Sequence, residues 1–140
     1  MGRILCATRG GEASYRTQDA AIALAQERGD TLLFIYAVNL HFLNKTAGAA
    51  VVDVEGELTK MGKFLLLMAQ ERAAEQDVIA ETICCKGELG EVLKKTAREE
   101  GVALVVLGRP AGDESVFELS GLQALADEIQ NETGIETSII

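Results

Sequence analysis

The segment TLLFIYAV, residues 31–38, is the feature that most restricts the fold of this chain. It is apolar at nearly every position, so a strand formed from it would bury both of its faces. Strands of that kind lie inside parallel sheets that helices cover on both sides. Thr31–Val38 is therefore predicted to be an inner strand of an α/β sheet.

Four other apolar runs alternate with segments of helical periodicity along the chain. The predicted strands are Arg3–Thr8, Thr31–Val38, Val78–Cys85, Ala103–Gly108 and Glu136–Ile140, and the predicted helices are 14–28, 56–76, 88–100 and 119–133. Gly29, Gly101 and Gly134 follow three of these helices and can adopt the left-handed conformation that ends a helix. With right-handed crossovers, the pattern predicts one doubly wound parallel α/β domain over residues 1–140.

The region around the second helix is predicted from its apolar spacing. Leu58, Met61, Leu65 and Met68, followed by Arg72, recur at helical intervals, so they are expected to form the stripe that faces the core. Residues 39–54 before it are irregular in sequence. A mobile lid and a plain connection are the two interpretations of that segment.

The charge of the chain argues against two classes of partner. Its 140 residues include 22 acidic and 13 basic side chains, for a net charge of −9. This field repels the phosphates of nucleic acids and of anionic membranes, so neither is expected to bind. The apolar stretches are shorter than the ~20 residues of a membrane span, and no signal peptide is recognisable. A cytoplasmic location is expected.

The cysteines and the histidine indicate no metal site. Cys84 and Cys85 are neighbours in a predicted strand, so their side chains would point to opposite faces of the sheet. Cys6 lies in a different strand, and none of the three belongs to a C-x-x-C pair. His41 is the only histidine and falls in the irregular segment. Buried, unreactive thiols are the simplest interpretation.

Sequence signatures of α/β enzymes are absent. There is no G-x-x-x-x-G-K-[ST] loop, no G-x-S-x-G elbow and no G-x-G-x-x-G turn after the first strand, where Gly10 and Gly11 are adjacent. The strand ends also lack the acidic residues of a phosphate-accepting receiver domain. Because no nucleophile, base and orienting group can be assembled, a non-enzymatic role is favoured.

The fourth predicted strand runs into a glycine-containing loop, VALVVLGRPAG, at residues 102–112. Ligands of doubly wound proteins bind where such strands end. Together with ILCATRGGEAS at the start and GELGEVLKKTAREEGVALVVLG in the middle, this loop resembles the universal stress protein family over nearly the whole chain. The resemblance implies an adenine-nucleotide alpha-hydrolase-like fold, with five parallel strands in the order 3-2-1-4-5 and two helices on each face.

The resemblance also shows how the nucleotide site has changed. Nucleotide-binding members carry G-x-x-G, nine residues and then G-S or G-T after strand four. Here that pattern starts at Gly108, but Ala111 replaces the second glycine, and Leu122 replaces the hydroxyl residue beside Gly121. Arg9 stands where those members have an Asp. Alanine resists the backbone conformations open to glycine, and leucine donates no hydrogen bond to a phosphate. Weak or absent binding of ATP or AMP is therefore expected.

The candidate binding residues lie around the predicted strand ends. They are Ala7, Thr8, Arg9, Val38, Gly108, Arg109, Ala111, Gly112, Gly121 and Leu122. Two functions stay open: a regulatory stress-response protein with weak or no ATP binding, and a module that binds a small ligand. In the second, Arg9 and Arg109 would grip a phosphate or carboxylate, which suits the planar guanidinium group. The alternative for these arginines is ordinary pairing with nearby carboxylates.

A homodimer that forms through the last strand is common in the family and is expected here. In the order 3-2-1-4-5, Glu136–Ile140 lies at an edge of the sheet, and its two terminal isoleucines are expected to be exposed. An unpaired apolar edge favours two-fold pairing with a second copy. The alternative is a monomer whose edge is protected by the shortness of the strand and by Glu136.

Overall fold

The structure is a computed structural model and describes residues 2–8, 12–38, 48–108 and 115–140. Strands and helices alternate along this part of the chain. The strands are β1 (Arg3–Ala7), β2 (Thr31–Val38), β3 (Ala80–Lys86), β4 (Leu104–Leu107) and β5 (Glu136–Ile139), and the helices are α1 (Glu12–Arg28), α2 (Gly48–Glu75), α3 (Leu89–Glu100) and α4 (Ser115–Thr133). Each of these helices is too short or too polar to cross a membrane.

The strands form one parallel sheet in the order β3-β2-β1-β4-β5, which confirms the predicted topology. Strand β1 is central, and its Cys6 lies level with Phe34 of β2 and Val106 of β4. The chain winds outwards from β1 in both directions. The carboxyl ends of β1 and β4 therefore flank the point at which the connections diverge, where α/β proteins bind ligands.

The sheet separates two hydrophobic clusters, because successive strand side chains point to opposite faces. Cys6 and Phe34 belong to the cluster shared with α1 and α2, while Ile35 belongs to the cluster shared with α3 and α4. Cys84 packs against the first cluster and Cys85 against the second. The opposite orientation of these two thiols is thus confirmed.

Three predicted helix ends are confirmed by backbone geometry. Gly29, Gly101 and Gly134 follow α1, α3 and α4 with φ of 69°, 62° and 73°. In this left-handed region glycine has no Cβ to clash with the preceding carbonyl oxygen. Because only one or two residues separate each glycine from the next strand, the connections at that end of the sheet are short.

Helix α2 begins earlier than predicted. Residues 48–54 belong to α2, so the expectation of an irregular segment from 39 to 54 is wrong over that part. Ala49 and Ala50 have high helix propensity, which favours extension of the helix towards its N-terminus. Residues 39–47, including His41, lie outside the described residues.

The core-facing stripe of α2 is also rotated from the prediction. Its most buried positions are Gly62, Leu66, Ala69 and Ala73, whereas Met61 is 46% exposed. A Cβ on Gly62 would lie 2.4 Å from Cδ1 of Tyr36 on β2. Glycine therefore lets the helix approach the ring closely, and this contact turns the small residues towards the sheet. Leu58 and Leu65 are partly buried beside the cluster.

Candidate functional site

The carboxyl edge of the sheet brings together four of the candidate residues. Ala7 ends β1 and Thr8 follows it, Val38 ends β2, and Gly108 follows β4. Because Cys6 pairs with Val106, Thr8 and Gly108 lie at the same level on neighbouring strands. These strand ends form the two sides of the predicted crevice.

Thr8 is held in place by two hydrogen bonds and is only 3% exposed. Its backbone N–H donates to the carbonyl oxygen of Ile35 at 3.0 Å, which extends the β1–β2 ladder by one residue. Its Oγ1 accepts a hydrogen bond from Nε2 of Gln18 on α1 at 2.7 Å. A hydroxyl that accepts in this way can direct its own hydrogen to a different acceptor. Gln18 therefore orients a hydroxyl donor at the end of the central strand.

The packing of Thr17, the residue before Gln18, requires a glycine at position 108. A Cβ on Gly108 would lie 2.6 Å from Oγ1 and 3.3 Å from Cβ of Thr17. Thr17 is 1% exposed, so its side chain has little freedom to move aside. Consecutive residues of α1 thus pack against the ends of both β1 and β4 and close the inner end of the crevice.

Thr17 and Gln18 were missed by the sequence reasoning, although a signal was present. They occupy the same helical face as Ala21, Ile22 and Ala25, all of which are buried. Polar residues at the buried positions of an amphipathic helix need partners, and the partner of Gln18 is Thr8, at the end of β1. Oε1 of Gln18 is buried and has no hydrogen-bond partner among the described residues. An unmet buried acceptor at this position favours a donor supplied by water, a ligand or the adjoining loops.

Gly121 and Leu122 lie inside α4, as the predicted helix 119–133 implied. The helix starts at Ser115, four residues earlier than the predicted start. Leu122 is partly buried against the cluster on the α3–α4 face, whereas Gly121 is exposed. The apolar side chain that replaces the family's hydroxyl residue therefore contributes to packing.

The other candidates lie outside the described residues: Arg9, Arg109, Ala111 and Gly112. In the sequence, Arg9 directly follows Thr8, and Arg109 directly follows Gly108. The two arginines are therefore attached to neighbouring strand ends.

The thiols have the properties of core residues. Burial raises the pKa of Cys6 to about 12 and also raises the pKa of Cys84 and Cys85 above the ordinary value for a thiol. Since the thiolate is the reactive form, these shifts disfavour nucleophilic and metal-binding chemistry at neutral pH. Within the ranges that the structure describes, no three His, Cys, Asp or Glu side chains group in a way that could hold a metal ion.

A five-stranded parallel sheet in this order, covered by two helices on each face, defines the nucleotide-binding alpha-hydrolase-like class of α/β proteins. The chain belongs to the universal stress protein family, whose model matches residues 1–125. Universal stress protein YxiE of Bacillus subtilis (strain 168) is 31% identical over an alignment of 116 residues that covers 77% of this chain and 78% of that protein.

Solved structures of the family share the fold at low sequence identity. Universal stress protein UspA from Lactobacillus plantarum aligns with a TM-score of 0.79 and 15% identity, over 99% of this chain and 97% of its own. The universal stress protein from Archaeoglobus fulgidus in complex with dAMP aligns with a TM-score of 0.67 and 13% identity, over 100% of this chain and 97% of its own. At these levels of sequence identity, the two comparisons show a shared architecture.

Proposed function

We propose that this protein is a cytoplasmic stress-response regulator that acts as a homodimer and binds ATP weakly or not at all. The observation that carries the weak binding is the position of Leu122. It packs against the core, where nucleotide-binding members of the family present a hydroxyl. Arg9 and Ala111 are further departures from that pattern. A protein with these changes transmits a signal through its surfaces more readily than through nucleotide turnover.

Part of the nucleotide site is nonetheless retained, and this makes the proposal testable by restoration. The Archaeoglobus fulgidus relative binds dAMP within the same fold. This chain keeps Gly108 and Gly121, and Thr8 remains oriented by Gln18 at the crevice. Three substitutions therefore separate its motif from that of the nucleotide-binding members.

Restoring all three positions is expected to raise nucleotide affinity by at least about tenfold, the effect of ~1.4 kcal/mol. The variant is Arg9→Asp/Ala111→Gly/Leu122→Ser, measured by isothermal titration with ATP, ADP and AMP beside the unmodified protein. Leu122→Ser alone controls for lost packing, because this side chain is partly buried. The effects need not add within one pocket. Tight ATP binding by the unmodified protein would contradict the proposal.

The dimer is proposed to form through the outer edge of β5. The hydrogen bonds at this edge show which contact a partner strand would have to replace. The N–H of Ile140 donates to the carbonyl oxygen of Leu107 on β4. In a strand the N–H groups alternate in direction, so that of Thr137 points away from β4. It donates to Oε1 of Gln130 at 3.0 Å. A partner strand would have to displace this side chain.

The isoleucines at the end of the chain differ from expectation. Ile139 packs against the cluster on the α3–α4 face, and Ile140 packs against the opposite cluster. Both are half-buried, so the prediction of two exposed apolar residues is wrong. The backbone edge, and not apolar side chains, is therefore what β5 offers to a second copy.

Thr137→Pro is expected to convert the dimer to a monomer at micromolar concentration. Proline removes an N–H that points outwards, so it blocks pairing with a second copy but leaves the β4–β5 ladder intact. Thr137→Ser is the control, since it keeps the N–H. Gln130→Ala should act in the opposite direction and tighten the dimer several-fold, because it frees that N–H for the partner. Sedimentation velocity gives the mass. A wild-type monomer unaffected by Gln130→Ala would rule out this interface.

A second candidate function is the binding of a small anion, which the pairing of β1 with β4 favours. Thr8 and Gly108 are level on these strands, and each is followed directly by an arginine. A phosphate or dicarboxylate held between Arg9 and Arg109 would offset charge in a chain with a net charge of −9.

Arg9→Ala/Arg109→Ala is expected to lose anion binding at least tenfold, the loss of about one charged hydrogen bond. The measurement is titration with a panel of phosphates and carboxylates, with the thermal midpoint recorded in parallel. Arg28→Ala, at the exposed end of α1, is the matched charge control. If the double variant binds every tested anion as the parent does, the two arginines are structural.

A further inference from the structure

Strand β3 is the second edge of the sheet, at the opposite end from β5. The carbonyl oxygen of Ile79 accepts a hydrogen bond from the N–H of Leu32 on β2. The direction of the backbone groups alternates along a strand, so those of Ala80 and Thr82 point away from β2. A further strand that added to this edge would pair with these outward groups.

The sequence of this edge favours such pairing. Residues 78–85, VIAETICC, contain a single charged residue, Glu81. Segments of this kind associate readily when they form the edge of a sheet. Arg3 on β1 pairs with Glu81 at 2.6 Å, so the charge of Glu81 is already compensated. Lys86 places a charge at the carboxyl end of the strand, whereas Ile79, at the amino end, is an apolar residue that is 75% exposed. Protection of the amino end must therefore come from elsewhere in the fold.

A side chain of α2 occupies the amino end of this edge. Nε2 of Gln70 donates a hydrogen bond to the carbonyl oxygen of Ala80 at 2.8 Å. Ala80 is buried and Gln70 is half-buried, so water competes little for this hydrogen bond. Neighbouring strands lie ~4.8 Å apart, so the amide of Gln70 stands where the backbone of a further strand would have to pass.

The turn between α2 and β3 holds Gln70 in this position. The N–H of Val78 donates to the carbonyl oxygen of Ala73 at 2.9 Å, and the N–H of Asp77 donates to that of Ala74 at 3.0 Å. Asp77 has a φ of 60°, the left-handed conformation that turns the chain from the helix into the strand. Both hydrogen bonds tie the end of α2 to the start of β3. Little further ordering is needed for the side chain of Gln70 to reach β3.

The glutamine contact at β5 is of a different kind. There Oε1 of Gln130 accepts a hydrogen bond from the N–H of Thr137, and Gln130 is exposed. An exposed hydrogen bond exchanges at little cost for one to water or to a partner strand. The half-buried amide of Gln70 has no such access to water. The two edges of the sheet therefore differ in how readily they open to a partner.

We propose that the hydrogen bond from Gln70 to Ala80 is an autoinhibitory contact that closes the β3 edge to a second copy of this chain. Its consequence for assembly rests on the proposed β5 homodimer. Two copies paired through β5 form one continuous sheet with a β3 edge at each end. Pairing of those β3 edges would join dimers into an open chain. Gln70 thus limits assembly to the closed pair.

The first test is the mass of Gln70→Ala in sedimentation velocity over a range of concentrations. Alanine keeps the helix propensity of α2. The variant is expected to form species larger than those of the parent, with pairing of β3 strengthened at least about tenfold, because each two-fold contact displaces two glutamines. A mass equal to that of the parent, with the circular dichroism of the parent, overturns the proposal.

Gln26→Ala is the matched control for Gln70→Ala. Nε2 of Gln26 also donates to a backbone carbonyl oxygen, that of Gln76 at 2.6 Å, but Gln76 lies in the turn and not in a strand. Its mass should equal that of the parent. An increase in mass that is the same for both alanine variants overturns the proposal, because loss of any such hydrogen bond would then promote association.

Thr82→Pro tests whether the new association uses the β3 edge. The N–H of Thr82 points away from β2, so proline removes a hydrogen bond to the partner and leaves the β2–β3 ladder intact. Gln70→Ala/Thr82→Pro should return to the mass of the parent. Gln70→Ala/Thr82→Ser keeps the N–H and should assemble as Gln70→Ala does. Assembly that persists in the proline variant overturns the assignment to β3.

The Thr137→Pro background separates this contact from the β5 dimer. In Gln70→Ala/Thr137→Pro only the β3 edge can pair, so assembly is expected to stop at a dimer. If β5 does not pair in the parent, Gln70→Ala alone stops at a dimer and Thr137→Pro changes nothing. The β5 interface then fails, while the role of Gln70 is supported. A monomeric Gln70→Ala/Thr137→Pro overturns the role of Gln70.

Discussion

Gly62→Ala is expected to lower the free energy of unfolding by about 1–3 kcal/mol, the usual cost of overpacking a core. The added Cβ would lie 2.4, 2.8 and 3.0 Å from three ring atoms of Tyr36. Tyr36 is 9% exposed on an inner strand, so the ring cannot swing into solvent. Either the ring or the helix must move, and both are packed. The loss must also exceed the ~1 kcal/mol that alanine gains over glycine within a helix.

Gly56→Ala is the matched control, because it lies in the same helix and an added Cβ there would meet no described atom within 4 Å. It should raise the free energy of unfolding by about 0.5–1 kcal/mol through helix propensity alone. Urea denaturation followed by circular dichroism measures both variants. Tyr36→Leu combined with Gly62→Ala should recover part of the loss, since the smaller side chain leaves room for the methyl group. Equal stabilisation by the two alanines would show that α2 does not approach β2 closely.

Lys94→Met is expected to lower the thermal midpoint by several degrees at neutral pH. The side chain of Lys94 is 6% exposed, and its Nζ lies 2.7 Å from Glu132, 3.1 Å from Glu91 and 3.5 Å from Glu128. One ammonium group on α3 thus neutralises carboxylates on both α3 and α4. Methionine keeps most of the volume but removes the ammonium group that all three carboxylates share.

The pH dependence distinguishes this electrostatic effect from lost packing. The hydrogen bond from Lys94 lowers the pKa of Glu132 below 4.5, so this pair stabilises the fold above that pH and loses its effect as the carboxylate is protonated. The same contacts raise the pKa of Lys94 above 10.5, so on the alkaline side the stabilisation is lost only as that lysine deprotonates.

The deficit of Lys94→Met should therefore shrink once the pH falls below the range in which Glu132 is ionised, because a neutral Glu132 no longer needs the ammonium group. Lys95→Met controls for the loss of one positive charge, since Lys95 is exposed on the same helix. It should leave the midpoint nearly unchanged. A deficit for Lys94→Met that is constant from pH 3 to 7 would assign the effect to packing.

Periodicity predicted the fold because each element carries its own signal. The apolar run of β2 and the glycines after α1, α3 and α4 are local features, and they were located to within a few residues. The orientation of α2 about its own axis, in contrast, has no local signal in the sequence. It depends on Gly62 meeting Tyr36, a contact between separate elements that spacing along one helix cannot reveal. The predicted leucines and methionines matched a helical period, but Gly62, Leu66, Ala69 and Ala73 were the residues that fitted against the sheet.

For a related reason, some residues of the candidate site could be predicted from the sequence and others could not. Strand ends follow from topology, so the approach of Thr8 to Gly108 was predictable once the order 3-2-1-4-5 was assumed. The roles of Thr17 and Gln18 depend on which way α1 faces when it packs across β1 and β4. Motif spacing does not carry that information. The helical setting of Leu122 was predictable, because this residue falls within the predicted helix 119–133.

The central place of β1 has a consequence for how this protein can be followed in solution. Cys6 lies between β2 and β4 and is fully buried, whereas Cys84 and Cys85 are half-buried on the edge strand β3. The side chain of Cys6 lies in the cluster between the sheet and helices α1 and α2, so an alkylating reagent reaches it only when that cluster opens, and its modification reports the opening of the domain core. Modification of Cys84 and Cys85 reports the fraying of one edge. The chain therefore contains its own probes for measuring how far an opening that begins at β3 spreads towards the centre of the sheet.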